Sequence, residues 1–165
     1  MYKNLLVPVD GSAHSRKALQ VACQLVGHQK AVIHILNVPE LPPASDPLGI
    51  AMGATNMSIS MAEMQKAGED MLRQFEDYQR SGLELIERLK ESVSMAQVEM
   101  KPLIRVGAPA KAILEEAANL DVEAIVMGSR GLSDLKSLVV GSVSHKVMHA
   151  AECAVITVHW PGHND

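Results

Sequence analysis

The residues best suited to chemistry lie in one stretch, Gly128-Ser129-Arg130-Gly131, followed after nine residues by Gly141-Ser142-Val143-Ser144. Gly128 and Gly131 let a backbone turn and come close to a ligand with no Cβ in the way. Gly141 to Ser144 opens a helical pattern, and the unpaired N–H groups and dipole of a helix start attract an anion. The dipole contributes only ~0.3–1 kcal/mol. Hydrogen bonds from N–H and hydroxyl groups to a charged phosphate are stronger, ~1.5–3 kcal/mol each, and Ser142 and Ser144 would supply the hydroxyls. Phosphate binding is one reading. The plainer alternative is that Ser142 caps the helix and the glycines end a strand. A second cluster, Asp10-Gly11-Ser12, has the same two sides. Asp10 could accept hydrogen bonds from a ribose hydroxyl or meet a metal, or Asp10 and Ser12 could form a turn and helix cap.

Several familiar chemistries are absent. No Gly-x-x-x-x-Gly-Lys-Ser/Thr run occurs, and no Gly-x-Gly-x-x-Gly follows the first strand. His145 and His149 are four apart on one helix face, but no third metal ligand accompanies them, so solvated histidines are the simpler reading. His34 sits inside an apolar run and reads as a core histidine. Cys23 and Cys153 are far apart, among aliphatic residues, and suit buried, inert thiols in a reducing cytosol. Asp10, Arg130 and Lys136 could assist hydrolysis, but no dedicated general base accompanies them, so no catalytic residue is assigned.

The elements that must position these residues follow from hydrophobic patterning. Continuous apolar runs at Asn4–Val9, 31–38 and 124–127 predict strands buried on both faces. Residues 98–106 alternate more and contain Pro102, which suits a sheet edge. Residues 154–159 make a fifth strand. Helices are expected at Ala13–Val26, stopped by Gly27, at 61–92, at Pro109–Asn119 and at 142–151. The second carries Met64, Met71, Leu72, Phe75, Leu83, Ile86 and Leu89 at helical steps, with Gly68 and Gly82 as weak points. Alternating strands and helices imply an α/β fold with an open parallel sheet, helices on both faces and right-handed crossovers. Ligands of such sheets bind beyond the carboxyl ends of the strands, here after Val9, Val38 and Met127. Residues 39–60, rich in Pro and Gly, form a long insert, expected to be a lid, a partner-binding loop or a flexible segment. Its Met52 and Met57, with Met61 and Met64, could form an adaptable surface or simply pack.

Composition narrows the function. The 165 residues predict one domain over 1–165, 47% hydrophobic and 2% aromatic, with a formal net charge of −4. An acidic chain almost without aromatics is a poor nucleic-acid binder, lacking both the basic surplus and the stacking platforms. No run approaches the ~20 apolar residues that span a bilayer. Nucleic acid and membrane are therefore not expected partners.

The pattern Gly128-x-x-Gly131, nine residues, Gly141-Ser142 resembles the nucleotide-binding signature of the universal stress protein family. The opening LLVPVDGSAHSRKAL and the closing GSVSHKVMHAAECAVITV resemble its first and last blocks. The resemblance implies an open five-stranded, Rossmann-like α/β domain (adenine nucleotide alpha hydrolase-like) that binds ATP, with Mg²⁺ possible at Asp10. It implies a homodimer paired through the last strand and a cytoplasmic regulatory role in stress response. Pro8, Val9 and Asp10 would wall the adenosine, and Val38 would meet the adenine edge. Met127 and Gly128 would lie beneath the nucleoside. Arg130, Gly131, Gly141, Ser142, Val143 and Ser144 would surround the phosphates. His145 and Ala154 depart from the family pattern without removing a phosphate ligand. The expected activity is nucleotide binding with little or no turnover. The alternatives are a slow ATPase or nucleotide-transferring enzyme in the same pocket, or a nucleotide-free dimerisation module.

Overall fold

The computed structural model describes residues 2–27, 30–39, 60–93, 98–131 and 140–159. Most of the expected insert, with Met52 and Met57, lies outside the described residues, as does Lys136. The described elements are β1 (Asn4–Val9), α1 (Ala13–Val26), β2 (Ala31–Asn37), α2 (Met61–Glu91), β3 (Val98–Ile104), α3 (Pro109–Asn119), β4 (Ala124–Gly128), α4 (Ser142–Ala150) and β5 (Ala154–Val158). The strands form one sheet in the order β3-β2-β1-β4-β5, every neighbouring pair parallel. β3, with Pro102, is an edge as its composition predicts, and β5 is the other edge.

The pleat divides the core into two layers. Leu5, Val7 and Val9 of β1 face α1 and α2, together with Ile33, Ile35 and Val126. Leu6 of β1 faces the opposite side, with Leu36, Ile125 and Met127 against α3 and α4. Alternate residues of one continuous apolar run thus serve two different helix layers, which is why the run does not alternate in polarity.

Six elements end differently from expectation. β2 stops at Asn37 and β3 at Ile104, two residues before Val106, while α2, α4 and β5 each stop one residue early, at Glu91, Ala150 and Val158. The buried Asn37 side chain closes β2 by donating Nδ2–H to the Val9 carbonyl at 2.8 Å. β4 includes Gly128, which had been expected just beyond the strand.

α2 is unbroken across both of its glycines. Gly82 is not a weak point: it is buried where the helix lies close against the sheet. A Cβ there would stand 2.6 Å from Ile104 Cδ1 and 2.9 Å from Asn37 Oδ1. The helix start is well defined: the Ser60 hydroxyl accepts from the Glu63 N–H, and the Glu63 carboxylate accepts from the Ser60 N–H. The Ser60 N–H, and with it the Ser60 hydroxyl, donate to that carboxylate and hold it below its usual range.

Candidate functional site

The chain passes from β1 to β2 and β3 on one side of the sheet, then returns to β4 and β5 on the other. This reversal opens a crevice between the carboxyl ends of β1 and β4. The β1–β4 ladder aligns Leu5 with Ala124 and Leu6 with Ile125 and stops short of Val9 and Gly128. The β1–β2 ladder, in contrast, runs the full length from Asn4 to Val9.

A cavity of about 300 Å³ occupies this crevice, within the lower range of small-molecule sites. Pro8 and Val9 line it from β1 and Asp10 from just beyond it, Val38 from just beyond β2, and Met127 and Gly128 from β4. Arg130 and Gly131 line it from the following turn, and Ser142, Val143 and Ser144 from the first turn of α4. Of the residues expected at the site, Gly141 alone is not in the lining. It is the N-cap of α4, with its N–H on the Ser129 carbonyl at 2.7 Å. Four lining residues had no expected site role: Ser15, Leu36, Pro109 and Ile113. Leu36 and Ile113 are ordinary core residues whose apolar surface reaches the cavity floor. Pro109 could have been found as the first residue of a helix ending at the same rim.

Local structure accounts for each polar group. The Asp10 carboxylate accepts the Ser12 N–H at 2.9 Å, and the Ser12 hydroxyl accepts the Ser15 N–H at 3.1 Å. Asp10 therefore does perform the turn duty, and that turn also fixes its carboxylate at the cavity. Ser142 is not the cap it was allowed to be. It is the first helical residue, exposed, behind the Gly141 cap, which makes no side-chain hydrogen bond. Ser144 also differs from expectation. Its buried hydroxyl donates to the Gly128 carbonyl at 2.8 Å, so that proton is committed to fastening α4 onto the end of β4. Gly128 is needed for another contact: a Cβ would lie 2.7 Å from His14 Cβ and 2.9 Å from its backbone carbonyl carbon.

Arg130 brings a positive charge to the cavity, and its buried Nε has no hydrogen-bond partner among the described residues. A buried guanidinium nitrogen without an acceptor costs free energy until an anion satisfies it. The free N–H groups of Ser142, Val143 and Ser144 lie at the same cavity and add to its positive potential. Its lining also includes the apolar side chains of Val9, Leu36, Val38 and Met127. Among the described residues no group of three metal-ligating side chains forms, and His145 and His149 pair only with each other, ring centroids 4.5 Å apart.

The model of the universal stress protein family matches residues 1–159. The chain is 34% identical over 158 residues to universal stress protein YxiE of Bacillus subtilis, covering 96% of this chain and 99% of that one. Its fold superposes on the solved structure of MJ0577 with a TM-score of 0.71, at 22% identity and 99% coverage of both chains. It also superposes on a universal stress protein family protein of Arabidopsis thaliana with AMP bound, with a TM-score of 0.57 at 19% identity, over 95% of this chain and 91% of that one. The chain belongs to the universal stress protein family.

Proposed function

We propose that the cavity binds an adenine nucleotide, ATP with Mg²⁺ foremost, and that the protein is a dimeric regulatory module with little or no turnover. The observation that carries the reading is the polarity of the cavity. One cavity brings together apolar walls fit for a base, a carboxylate, Asp10, and Arg130 with a helix start suited to phosphates. The AMP held by the Arabidopsis relative supports the same ligand class. Pro8, Val9, Val38 and Met127 bound the base with Gly128 beneath the nucleoside, Asp10 meets the ribose or the metal, Gly131 leaves the phosphate path without a Cβ, and Gly141 caps the helix start that faces the phosphates. Val143 shapes that path, Ser142 presents a hydroxyl, and Ser144 holds the helix start in place.

Calorimetric titration with ATP and Mg²⁺ tests this. A micromolar constant, about −8 kcal/mol, is expected, with large losses in Gly131→Val and Gly141→Val. Absence of heat in the wild-type protein would sink the reading. Several product turnovers per minute would instead make the protein an ATPase.

β5 offers the second surface. It is a sheet edge with Ala154 and Thr157 exposed, and pairing with another β5 would cover it. Thr157→Lys places like charges in that interface and should lower the mass measured by sedimentation. Among the described residues no helix is long and apolar enough to cross a membrane.

A further inference from the structure

α2 is longer than the layer it packs into. Its carboxyl half buries Gly82, Ile86 and Leu89, whereas no residue from Met61 to Ser81 is buried. Along that half Met61 is 86% exposed, Leu72 66%, Met71 61%, Met64 60% and Phe75 48%. An apolar strip of this size on a helix is a mark of an interaction surface.

The strip has a register. With Met61 at position a of a seven-residue repeat, a recurs at Gly68, Phe75, Gly82 and Leu89, and d falls on Met64, Met71, Tyr78 and Leu85. This is the spacing of a helix that packs lengthwise on another helix. The same seam meets the sheet in its carboxyl half and water in its amino half. The flanking e and g positions hold Gln65, Ala67, Leu72, Gln74, Gln79 and Ser81. Every charged residue between Met61 and Ser81 falls at b, c or f, on the far side of the helix.

We propose that the exposed half of α2 docks a second copy of this chain, α2 against α2, antiparallel about a twofold axis at Gly68. A twofold interface puts one patch against itself, so it must tolerate its own charges. A face without charge does so, whereas a partner chosen by charge calls for charged e and g positions. Antiparallel pairing about Gly68 sets Met61 level with Phe75 and Met64 level with Leu72. Gly68 meets Gly68 on the axis. Opposed helix dipoles favour the antiparallel form over the parallel one.

Crosslinking of the full chain tests the geometry. A Cβ at Gly68 meets nothing within 4 Å, so Gly68→Cys leaves the monomer fold undisturbed. A short bis-maleimide should join Gly68→Cys into a covalent dimer and leave the wild-type chain, with buried Cys23 and half-buried Cys153, uncrosslinked. Met61→Cys mixed with Phe75→Cys should crosslink, and neither alone should. Leu72→Glu should halve the assembly mass in sedimentation, from two copies to one, or from four to two where β5 also pairs, with nucleotide titration unchanged. No crosslink at Gly68 together with an unchanged mass overturns the proposal. In that case a readily labelled Gly68→Cys thiol assigns the face to a different partner, and a protected one assigns it to the chain's own residues 40–59. Crosslinking of Phe75→Cys with itself refutes the antiparallel arrangement.

Discussion

Ser144 and Ser142 lie two residues apart at the same helix start and do different work, although their sequence context reads alike. The Ser144 hydroxyl is spent on the Gly128 carbonyl, inside the protein, while Ser142 is exposed at the cavity mouth. Ser144→Ala should therefore cost about 1–3 kcal/mol of stability in denaturant unfolding, because a buried acceptor loses its donor. Ser142→Ala should leave the unfolding midpoint unchanged and weaken only phosphate-bearing ligands. Equal stability losses in the two variants would contradict this division. Arg130→Gln removes the charge but keeps much of the side chain. If its buried Nε awaits an anion, the variant should bind ATP tenfold or more weakly, a loss of at least ~1.5 kcal/mol for one charged hydrogen bond. Adenosine, lacking phosphate, should bind both forms alike. The motif made the positions of these residues legible, since nearly all of them line one cavity. Their individual bonds were not legible, because a hydroxyl's partner depends on how α4 meets β4 in space.

At the scale of elements, strands and helices were readable because period and end signals agreed: Ser12 caps α1, Gly27 stops it, and Pro109 starts α3. Gly82 and Gly68 show where such signals fail. Both look like helix-weakening residues, and local propensity treats them alike. The fold separates them. Gly68→Ala meets nothing and should raise stability by up to ~1 kcal/mol through helix propensity alone. Gly82→Ala would press on Ile104 Cδ1 and on Asn37 Oδ1. The Ile104 methyl can rotate away, but Asn37 is held by its bond to the Val9 carbonyl. The crowding should outweigh the propensity gain, for a net loss of about 1–3 kcal/mol. Thermal melts of the two variants at one low protein concentration check the opposite signs. The half-exposed apolar face of α2 was equally hidden. Periodicity reports that a face is apolar, and only the strand order and the sheet's extent decide how much of it finds a core.

For the whole molecule, alternation of strands and helices implied a parallel sheet, and the edge position of β3 followed from Pro102. The remaining order rests on long-range contacts, and side-chain bonds between neighbouring strands accompany them. His34 makes one of these. It lies in the middle of β2 with Nε2 on Asn4 Oδ1 at 3.0 Å. Its register partner on β3 is Lys101. Burial first, then the Lys101 charge, pushes its pKa below the ordinary 6.5, against smaller opposing effects of Glu99 and Glu116. The unfolded chain therefore binds a proton on this ring at a higher pH than the folded protein does. The contribution of neutral His34 is full above pH 6.5 and is lost progressively as pH falls from 6.5 toward the folded-state pKa. Glu63 and Glu123 act lower on the scale. Glu123 accepts the N–H groups of Lys3 and Asn4, and both carboxyls lie below their ordinary 4.5. Their stabilisation is present above pH 4.5 and fades below it. The melting temperature should thus fall in two acid steps, one beginning near pH 6.5 and one near pH 4.5. His34→Gln keeps a donor toward Asn4 but cannot titrate, so it should erase the first step and leave the second. A variant profile that still declines between pH 6.5 and 5 would place the first step on another group.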